Sequence, residues 1–401
     1  MRILFIEPTP SPNSMKVNLD VRLPDGLRLT YTSDDITEQT PDHIRRLLDI
    51  PGVASVFHAA DFIAVDREPK ADWQAILSAV RQVYGQDNEE LTTPAAMATN
   101  QATGGQTSDQ VSDQEGDRTA AGEAAPSDHF GEAQVFIQTF RGIPLQIRVQ
   151  SDSQEERIAM PARFIDAAMN AQYGSPNLIK ERVLNEAGVR YGERKEIAEQ
   201  VLQELDAAYD NERLEHLIAV ALAMEVPSLP EQPEVKELAR KLEDPDWKVR
   251  FGALEKLKPE LEHLELIEKA LTDSNFSIRR LATVYLGDIQ EPDVFPLLYK
   301  MLQDPSASVR RTAGDCLSDI GDPDAIPPMM NALRDPSKIV RWRAARYLYE
   351  VGDETALEAL KAAEQEPEFE VRMQIQYAIA RIEGGEEAAG SVWQQMTRRD
   401  R

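Results

Sequence analysis

The sequence predicts a multidomain protein with a small α+β domain, a disordered linker, a β-hairpin plus helices, and a C-terminal α-solenoid. Three observations predict this fold class. An acidic stretch without aromatic residues separates two ordered parts, and alternating apolar and polar residues on both sides of it indicate strands. A motif then recurs towards the C-terminus at spacings of 29 to 31 residues, which is typical of helical repeats.

The composition limits the partners and the compartment that we expect. A net charge of −26 on 401 residues repels polyanions, so we expect neither nucleic acid nor a membrane as a partner. The single cysteine, Cys316, allows no disulfide framework within the chain, as in proteins of reducing compartments. The apolar run at 3–6 is too short for a signal peptide. These features predict a cytoplasmic protein.

Residues 1–85 form the predicted α+β domain, which we call the head. Its apolar pattern alternates between the period of strands and that of helices, and Pro24-Asp25-Gly26 is a turn signal between two strands. The predicted strands are 2–6, 15–23, 27–32, 53–58 and 62–66, and the predicted helices are 41–49 and a last one that begins near Trp73.

Residues 86–129 form the predicted linker. The segment contains no Phe, Trp or Tyr and only one basic residue, Arg118. Such a stretch buries too little apolar surface to offset the entropy of ordering it. We therefore expect a disordered acidic linker between the head and the rest of the chain.

Residues 130–230 form a predicted middle domain that opens with a β-hairpin. The segments AQVFIQTF and PLQIRVQ flank Arg141-Gly142-Ile143, and both alternate apolar with polar side chains. The apolar spacing after the hairpin predicts helices at 160–171, 176–187, 192–209 and 211–225.

Residues 231–385 contain the repeat, and residues 386–401 form a tail. Each copy ends one helix, breaks at Asp-Pro or an equivalent, and starts a second helix that contains an arginine. These copies resemble short bacterial HEAT repeats. Because Asp and Arg recur once per copy, as in Asp304 with Arg310, we expect them to form a structural ladder between neighbouring turns. The arginines are Arg250, Arg279, Arg310, Arg341 and Arg372.

Residue types that carry chemistry are present without the spacing that catalysis needs. Cys316 lies among buried positions of a repeat helix, and we expect a core thiol there. Nucleotide-binding loops and nucleophile elbows are missing from the sequence. We therefore expect no enzymatic activity, no cofactor and no metal. The histidines, none of them spaced as a metal pair, are His43, His58, His129, His216 and His263.

A stripe on the second helices is the candidate binding surface. The residue after each repeated arginine lies about 200° around the helix from the buried position before it. Aromatic residues, Met and Arg are enriched in the cores of interfaces. Two alternatives stay open: the stripe binds a protein or peptide partner, or the terminal helices or the middle domain cover it. The partner-binding candidates are Phe251, Arg280, Arg311, Trp342, Arg343, Arg346, Tyr349 and Met373.

The head contains a proline-rich stretch, EPTPSPNSMK, at residues 7–16. Each X-Pro step favours extended backbone, and Asn13 suits a reversal, so we expect a stiff crossover between two strands, with a ligand loop as the weaker alternative. This stretch and DFIAVDREPKADWQAIL at 61–77 resemble the N-terminal domain of NifU-like (Nfu) iron–sulfur scaffold proteins. The motif residues are Glu7, Pro8, Thr9, Pro10, Pro12, Asn13, Met15 and Lys16.

The order of the domains carries a second resemblance. A Nfu protein continues into a domain with a Cys-X-X-Cys pair that holds the cluster, whereas this chain has only Cys316, so the scaffold activity does not transfer. A Nfu-type head followed by a middle domain and HEAT repeats resembles the conserved virulence factor C family of Gram-positive bacteria. That resemblance implies a cytoplasmic protein that affects virulence-factor production.

Two functions follow from these expectations. The first is a non-enzymatic adaptor that binds protein partners through its HEAT repeats. The alternative is an auxiliary factor in iron–sulfur cluster assembly or delivery that contacts the cluster machinery without ligating a cluster itself. A weaker third interpretation is an enzyme of the HEAT-like lyase or glycosylase kind, against which the missing catalytic motifs count.

Overall fold

The structure is a computed structural model of the chain. Pro10 and Pro12 of the head motif, residues 87–129 of the predicted linker and the predicted tail lie outside the described residues. The described residues are 1–9, 11, 13–24, 27–37, 39–68, 71–86, 132–151, 154–174, 177–222 and 235–385.

The described residues divide into two compact units. One unit contains the head together with the segment Leu360–Glu387 near the C-terminal end. The other unit contains the middle domain and the repeats up to Ala359. The multidomain α+β and α-solenoid fold class is confirmed.

The head is a five-stranded sheet with two helices, as predicted. Its strand order is β1-β2-β5-β4-β3, and Ile44, Leu47 and Trp73 of the helices are fully buried. The third strand pairs with the fourth and not with the second, so the turn signal at Pro24 does not join two neighbouring strands. The elements are β1 (Ile3–Pro8), β2 (Ser14–Leu19), β3 (Arg28–Thr32), α1 (Asp42–Leu48), β4 (Val53–Ala59), β5 (Phe62–Arg67) and α2 (Trp73–Val83).

The middle domain is a four-stranded antiparallel sheet of order β8-β7-β6-β9, covered on one face by helices. Phe140, Ile147 and Phe164 are fully buried between sheet and helices. The elements are β6 (Glu132–Phe140), β7 (Ile143–Ser151), β8 (Gln154–Ala159), α3 (Ala162–Ala171), β9 (Arg182–Tyr191), α4 (Arg194–Ala208) and α5 (Asn211–Ala221).

The helix predicted at 176–187 is wrong, because most of that segment belongs to β9 or to the turn before it. Its Glu, Arg, Leu and Ala residues suit a helix, but β9 pairs along its length with β6. Gly188 adopts a left-handed φ of 83° next to an irregularity in the register, a conformation that interrupts both helix and regular strand.

The repeats alternate short first helices with longer second helices. In most copies the first helix follows a 3₁₀ turn, and the second follows a Pro, Ser, Asp or Asn turn. The first helices are α6 (Val235–Lys241), α8 (Leu264–Ala270), α10 (Phe295–Met301), α12 (Ile326–Ala332) and α14 (Leu357–Ala362). The second helices are α7 (Trp247–Glu255), α9 (Phe276–Ile289), α11 (Ala307–Ile320), α13 (Lys338–Glu350) and α15 (Phe369–Glu383).

The predicted ladder between repeats is confirmed. Arg279 donates from Nε and Nη2 to the two oxygens of Asp304 in the next repeat, at 2.7 and 2.9 Å. Its Nη1 donates to the Asp273 carbonyl of its own turn at 2.8 Å. Arg250 with Asp273, and Arg310 with Asp335, repeat this bidentate geometry. Each of these three arginines therefore closes its own turn and binds it to the next repeat.

The carboxylates of the ladder also shape their turns. Asp304 Oδ1 accepts from the Ser306 amide at 2.8 Å, and Asp273 Oδ1 accepts from the Asn275 amide at the same distance. Burial raises the pKa of Asp273, but hydrogen bonds from Arg250 and the Asn275 amide outweigh it and leave that pKa below its usual value.

We expect Asp304→Ala to lower the free energy of unfolding by about 3 kcal/mol, because it leaves the nearly buried Arg279 guanidinium without its carboxylate. The measurement is urea unfolding followed by circular dichroism. Asp293→Ala removes an exposed carboxylate from the same repeat and is the control. Equal losses in the two variants would contradict a structural ladder.

Candidate functional site: the second-helix stripe and the head hairpin

The second-helix stripe comprises Phe251, Arg280, Arg311, Trp342 and Met373. Its three apolar members are nearly buried, since Phe251 is 5% exposed, Trp342 1% and Met373 3%. The helical-wheel position of the stripe follows from the sequence, whereas its accessibility depends on what packs against it. Its role in partner binding stays a prediction.

Helix α4 of the middle domain packs against the first stripe helix, α7. A Cβ atom on Gly252 would lie 2.6 Å from the Ala207 carbonyl oxygen, so the two helices meet where α7 has no side chain. Phe251, beside Gly252, packs edge-on against Trp247 of the same helix, with ring centres 6.2 Å apart. The middle domain therefore contacts the repeats at the first stripe helix.

A carboxylate of α4 holds two arginines. Glu204 Oε2 lies 3.1 Å from Arg280 Nη2 of the stripe and 3.0 Å from Arg190 Nη2 of β9. Gln200 donates to the other Glu204 oxygen at 2.9 Å. Glu204 thereby joins the sheet, α4 and the second repeat in one charge network.

The pKa values of this network show how strongly its members depend on one another. Burial raises the pKa of Glu204, but the charges of Arg280 and Arg190 outweigh it and leave it below its usual value. Burial, together with the nearby charge of Arg280, lowers the pKa of Arg190 to about 10. Removal of Glu204 would leave two cations together in a poorly hydrated place.

The next stripe arginine lies against the end of β9. The Arg311 guanidinium carbon lies 3.8 Å from the Tyr191 ring centre, which is a cation–π contact. Arg311 Nη2 also lies 2.8 Å from Asp315 Oδ2. Arg343 Nε approaches Asp315 Oδ1 to 2.6 Å as an ion pair without an aligned hydrogen bond. These contacts engage both arginines within the same unit.

The remaining candidates of the stripe lie on α13. Arg346 Nε donates to Glu350 Oε1 at 2.7 Å, and both residues are buried. Its guanidinium carbon lies 5.5 Å from the Tyr349 ring centre. Arg346 is therefore already satisfied by its own helix.

The proline-rich stretch of the head forms the connection of the β1–β2 hairpin. The predicted pairing of the strands on either side of the stretch is confirmed, with Ile6 opposite Val17. Thr9 Oγ1 donates to the carbonyls of Ser14 at 3.0 Å and Ser11 at 3.1 Å, and these bonds close the turn. Lys16 Nζ lies 2.5 Å from Glu7 Oε1 across the two strands. Among the described residues of the motif, Met15 is buried in the core.

Arg67 connects this hairpin with the last repeat helix. Its Nε donates to Asn13 Oδ1 at 3.3 Å, and its Nη1 donates to the Ala71 carbonyl at 3.0 Å. The same Nη1 lies 2.5 Å from Glu370 Oε1 of α15. Tyr377 of α15 also donates its hydroxyl to the Ile6 carbonyl. Asn13 therefore has a structural role in the head, and α15 packs against the hairpin.

The groups that chemistry could use are buried or far apart. The thiol of Cys316 packs on Gly287 and lies 3.7 Å from the Thr283 carbonyl oxygen, and burial raises its pKa. In the part of the chain that the structure describes, the one group with metal-ligand spacing is Glu260, Glu262 and His263. His263 Nδ1 lies 3.0 Å from the Lys258 carbonyl, so a contact within the turn accounts for the position of this side chain without a metal.

Sequence reasoning missed Glu204, Arg190 and Tyr191, which form contacts with Arg280 and Arg311 of the stripe or with their partners. Glu204 lies on a helix rich in acidic residues, so nothing in the sequence distinguishes it from its neighbours. Arg190 and Tyr191 lie at the end of β9, which was not predicted as a strand. Among the described residues, no helix combines the length and the apolar character needed to cross a membrane.

We expect Glu204→Gln to lower the free energy of unfolding by about 3 kcal/mol at neutral pH, because Arg190 and Arg280 lose their shared counter-charge. Since the folded-state pKa of Glu204 is lowered, its contribution is complete above 4.5, the ordinary value, and is lost as the pH falls through the folded-state pKa. Urea unfolding at pH 7 and near pH 4 measures both effects. Glu199→Gln, an exposed position on the same helix, is the control. A gap that stays constant with pH would contradict the assignment.

The matches to family models follow the order of the domains. The model of the scaffold protein Nfu/NifU N terminal matches residues 3–88. The virulence factor model matches residues 138–218. HEAT repeats match four overlapping segments: 233–313, 262–336, 295–380 and 326–399.

Relatives match the chain over its full length. YpgR of Bacillus subtilis is 48% identical over 399 residues, covering 99% of this chain and 98% of that protein. Conserved virulence factor C of Staphylococcus haemolyticus is 43% identical over 402 residues and covers both chains completely. The crystal structure of Staphylococcus aureus protein SAV1430 is 37% identical, covers 21% of this chain and 99% of that chain, and has a TM-score of 0.20. The chain belongs to the conserved virulence factor C family.

Proposed function

We propose that the protein is a non-enzymatic adaptor that binds protein partners through its HEAT repeats, and that this binding underlies a role in virulence-factor production in related pathogens. The observation that supports it is a repeat frame held by buried Arg–Asp pairs that still presents large apolar side chains. Leu261 is 43% exposed and Phe276 38% exposed on that frame. A rigid frame loses little entropy when a partner binds.

The stripe residues are a poorer choice for the first contact with a partner. The side chains of Arg280 and Arg311 are only 13% and 16% exposed and already have anionic partners. A partner that bound them would first have to break those pairs, which costs more than it regains unless each charge is paired again. We therefore place the partner contact at the exposed apolar positions of the first full repeats.

The chemistry of the described residues favours binding over catalysis. The buried charges of the stripe face one another in ion pairs, and burial raises the pKa of the Cys316 thiol, which disfavours the reactive thiolate. A nucleophile needs an adjacent base and access to substrate. Neither the stripe nor Cys316 offers that combination.

The test uses a photo-crosslinking amino acid in the full-length chain inside its native cells. We expect Leu261 and Phe276 positions to form an adduct of the same mass, because both lie exposed on one repeat. The matched control is Ile179, an exposed apolar residue of the middle domain. Adducts at the control position alone would contradict binding through the repeats.

A second candidate, an auxiliary factor in iron–sulfur cluster assembly or delivery, is favoured by the complete Nfu-type head. In this case the head contacts the cluster machinery and supplies no thiolate, since Cys316 lies outside it. A photo-crosslinker at Lys16, half-exposed on the hairpin, should then capture a cluster-carrying protein.

Anaerobic incubation with iron and sulfide separates ligation from contact. For both candidates we expect no stoichiometric cluster on this chain, because one thiol cannot replace the several thiolates that clusters need. Visible absorption measures the outcome. One cluster per chain would overturn both candidates.

A further inference from the structure

Strand β9 lies at an edge of the middle-domain sheet. Among the described residues its strand neighbour is β6, and the sheet order ends at β9. Alternate backbone N–H and C=O groups of an edge strand point away from the sheet, and they can pair with another strand. Residues 182–186 of β9 are all exposed.

A bulge limits the length of this edge. The register between β6 and β9 shifts between Gln134 and Phe136, and Gly188 on the other strand has a φ of 83°. Beyond the bulge, Arg190 binds Glu204 and Tyr191 lies under Arg311. The last residues of β9 are therefore engaged within the unit, and residues 182–186 remain for another strand.

The side chains of the free segment leave apolar surface exposed. Val183 is 53% exposed and Leu184 46% exposed. Just before the strand, Ile179 is 75% exposed. Proteins usually shield an exposed edge with prolines, bulges, charged side chains or a very short strand. Among the described residues of β9, the bulge lies at one end of the segment, and the charged side chains within it are Arg182 and Glu186.

The charged side chains of the segment have no partner among the described residues. Within the described residues, the side chains of Arg182 and Glu186 take part in no hydrogen bond or ion pair. Glu186 faces Phe136, and Leu184 faces Gln138, in the pairing with β6. Because side chains alternate between the two faces along a strand, Arg182, Leu184 and Glu186 share one face of β9.

We propose that two copies of this chain join through antiparallel pairing of β9 with β9, about a two-fold axis at Leu184. In this register, Arg182 of each copy lies opposite Glu186 of the other, and Leu184 lies opposite its own counterpart. The pairing would join two four-stranded sheets into one continuous sheet. Such an interface is isologous, so it closes at two copies.

The charge pattern favours this register over axes at Arg182 and at Glu186. A two-fold axis at Glu186 or at Arg182 would place like charges directly opposite one another, which destabilises a strand pair. The axis at Leu184 instead forms two opposite-charge pairs around an apolar centre. A chain with a net charge of −26 repels its own copy, so local complementarity is needed for association.

The test is sedimentation equilibrium of the full-length chain at about 0.15 M salt. We expect the wild type to dimerise, and Arg182→Glu and Glu186→Arg each to weaken the dimer about tenfold or more, because each places like charges opposite one another twice. The double variant R182E/E186R restores both opposite-charge pairs and should dimerise again. An equimolar mixture of the two single variants should form a heterodimer for the same reason.

These variants separate pairing from folding. Both positions are exposed and unpaired, so the thermal transition should stay unchanged. A wild type that stays monomeric at about 100 μM would overturn the proposal, because that concentration is far above the dissociation constants of specific interfaces. A dimer that none of the variants changes would overturn it too, as would a double variant that stays monomeric.

A cysteine scan gives an independent readout of the register. In Leu184→Cys the new thiol faces its own counterpart, and oxidation should join two chains covalently. In Val183→Cys the thiol faces Asn185 of the other copy and should crosslink much less. The scan is made in a Cys316→Ser background, because the native Cys316 is only half-buried. Equal crosslinking at both positions would contradict the Leu184 axis. The dimer is independent of the adaptor proposal, which a monomer would leave untouched.

Discussion

The Arg–Asp pairs between successive repeats are the interaction on which the larger unit depends. Each arginine binds the carbonyl of its own turn and the carboxylate of the next, and each carboxylate also accepts an amide of its turn. Turn shape and the offset between repeats are therefore set by one network. Because the network repeats with the motif, the second helices keep a constant orientation, and the middle domain meets a continuous row of side chains.

That row explains why the middle domain is part of the repeat frame. Helix α4 packs on α7 at Gly252, Glu204 binds Arg280 of the next second helix, and Tyr191 lies under Arg311 of the one after it. The contacts advance along the row by one repeat at a time. The middle domain thus contacts successive repeats at their regular spacing. The surfaces left for other proteins are those outside this row.

The sequence predicts the parts of the fold that depend on local periodicity. The repeat period predicts the solenoid and the ladder of Arg279 with Asp304, because the same residues recur in each copy. The sequence places the stripe opposite the buried position of each second helix, but it does not show what covers that face, so the burial of Trp342 stayed an open alternative. Strand β9 was missed because its residues suit a helix and only pairing with β6, distant in the chain, makes it a strand.

The hydrogen bond between Tyr377 and Ile6 joins residues that are 371 positions apart. A ribosome adds about 5–20 residues per second, so the first strand waits about 20–70 s for the helix that completes its unit. During synthesis the head must stay folded, or be kept from aggregating, without α15. The packing of the first-synthesised strands thus depends on α15, which is synthesised near the end. A chain whose synthesis stops before α15 leaves the hairpin of the head uncovered.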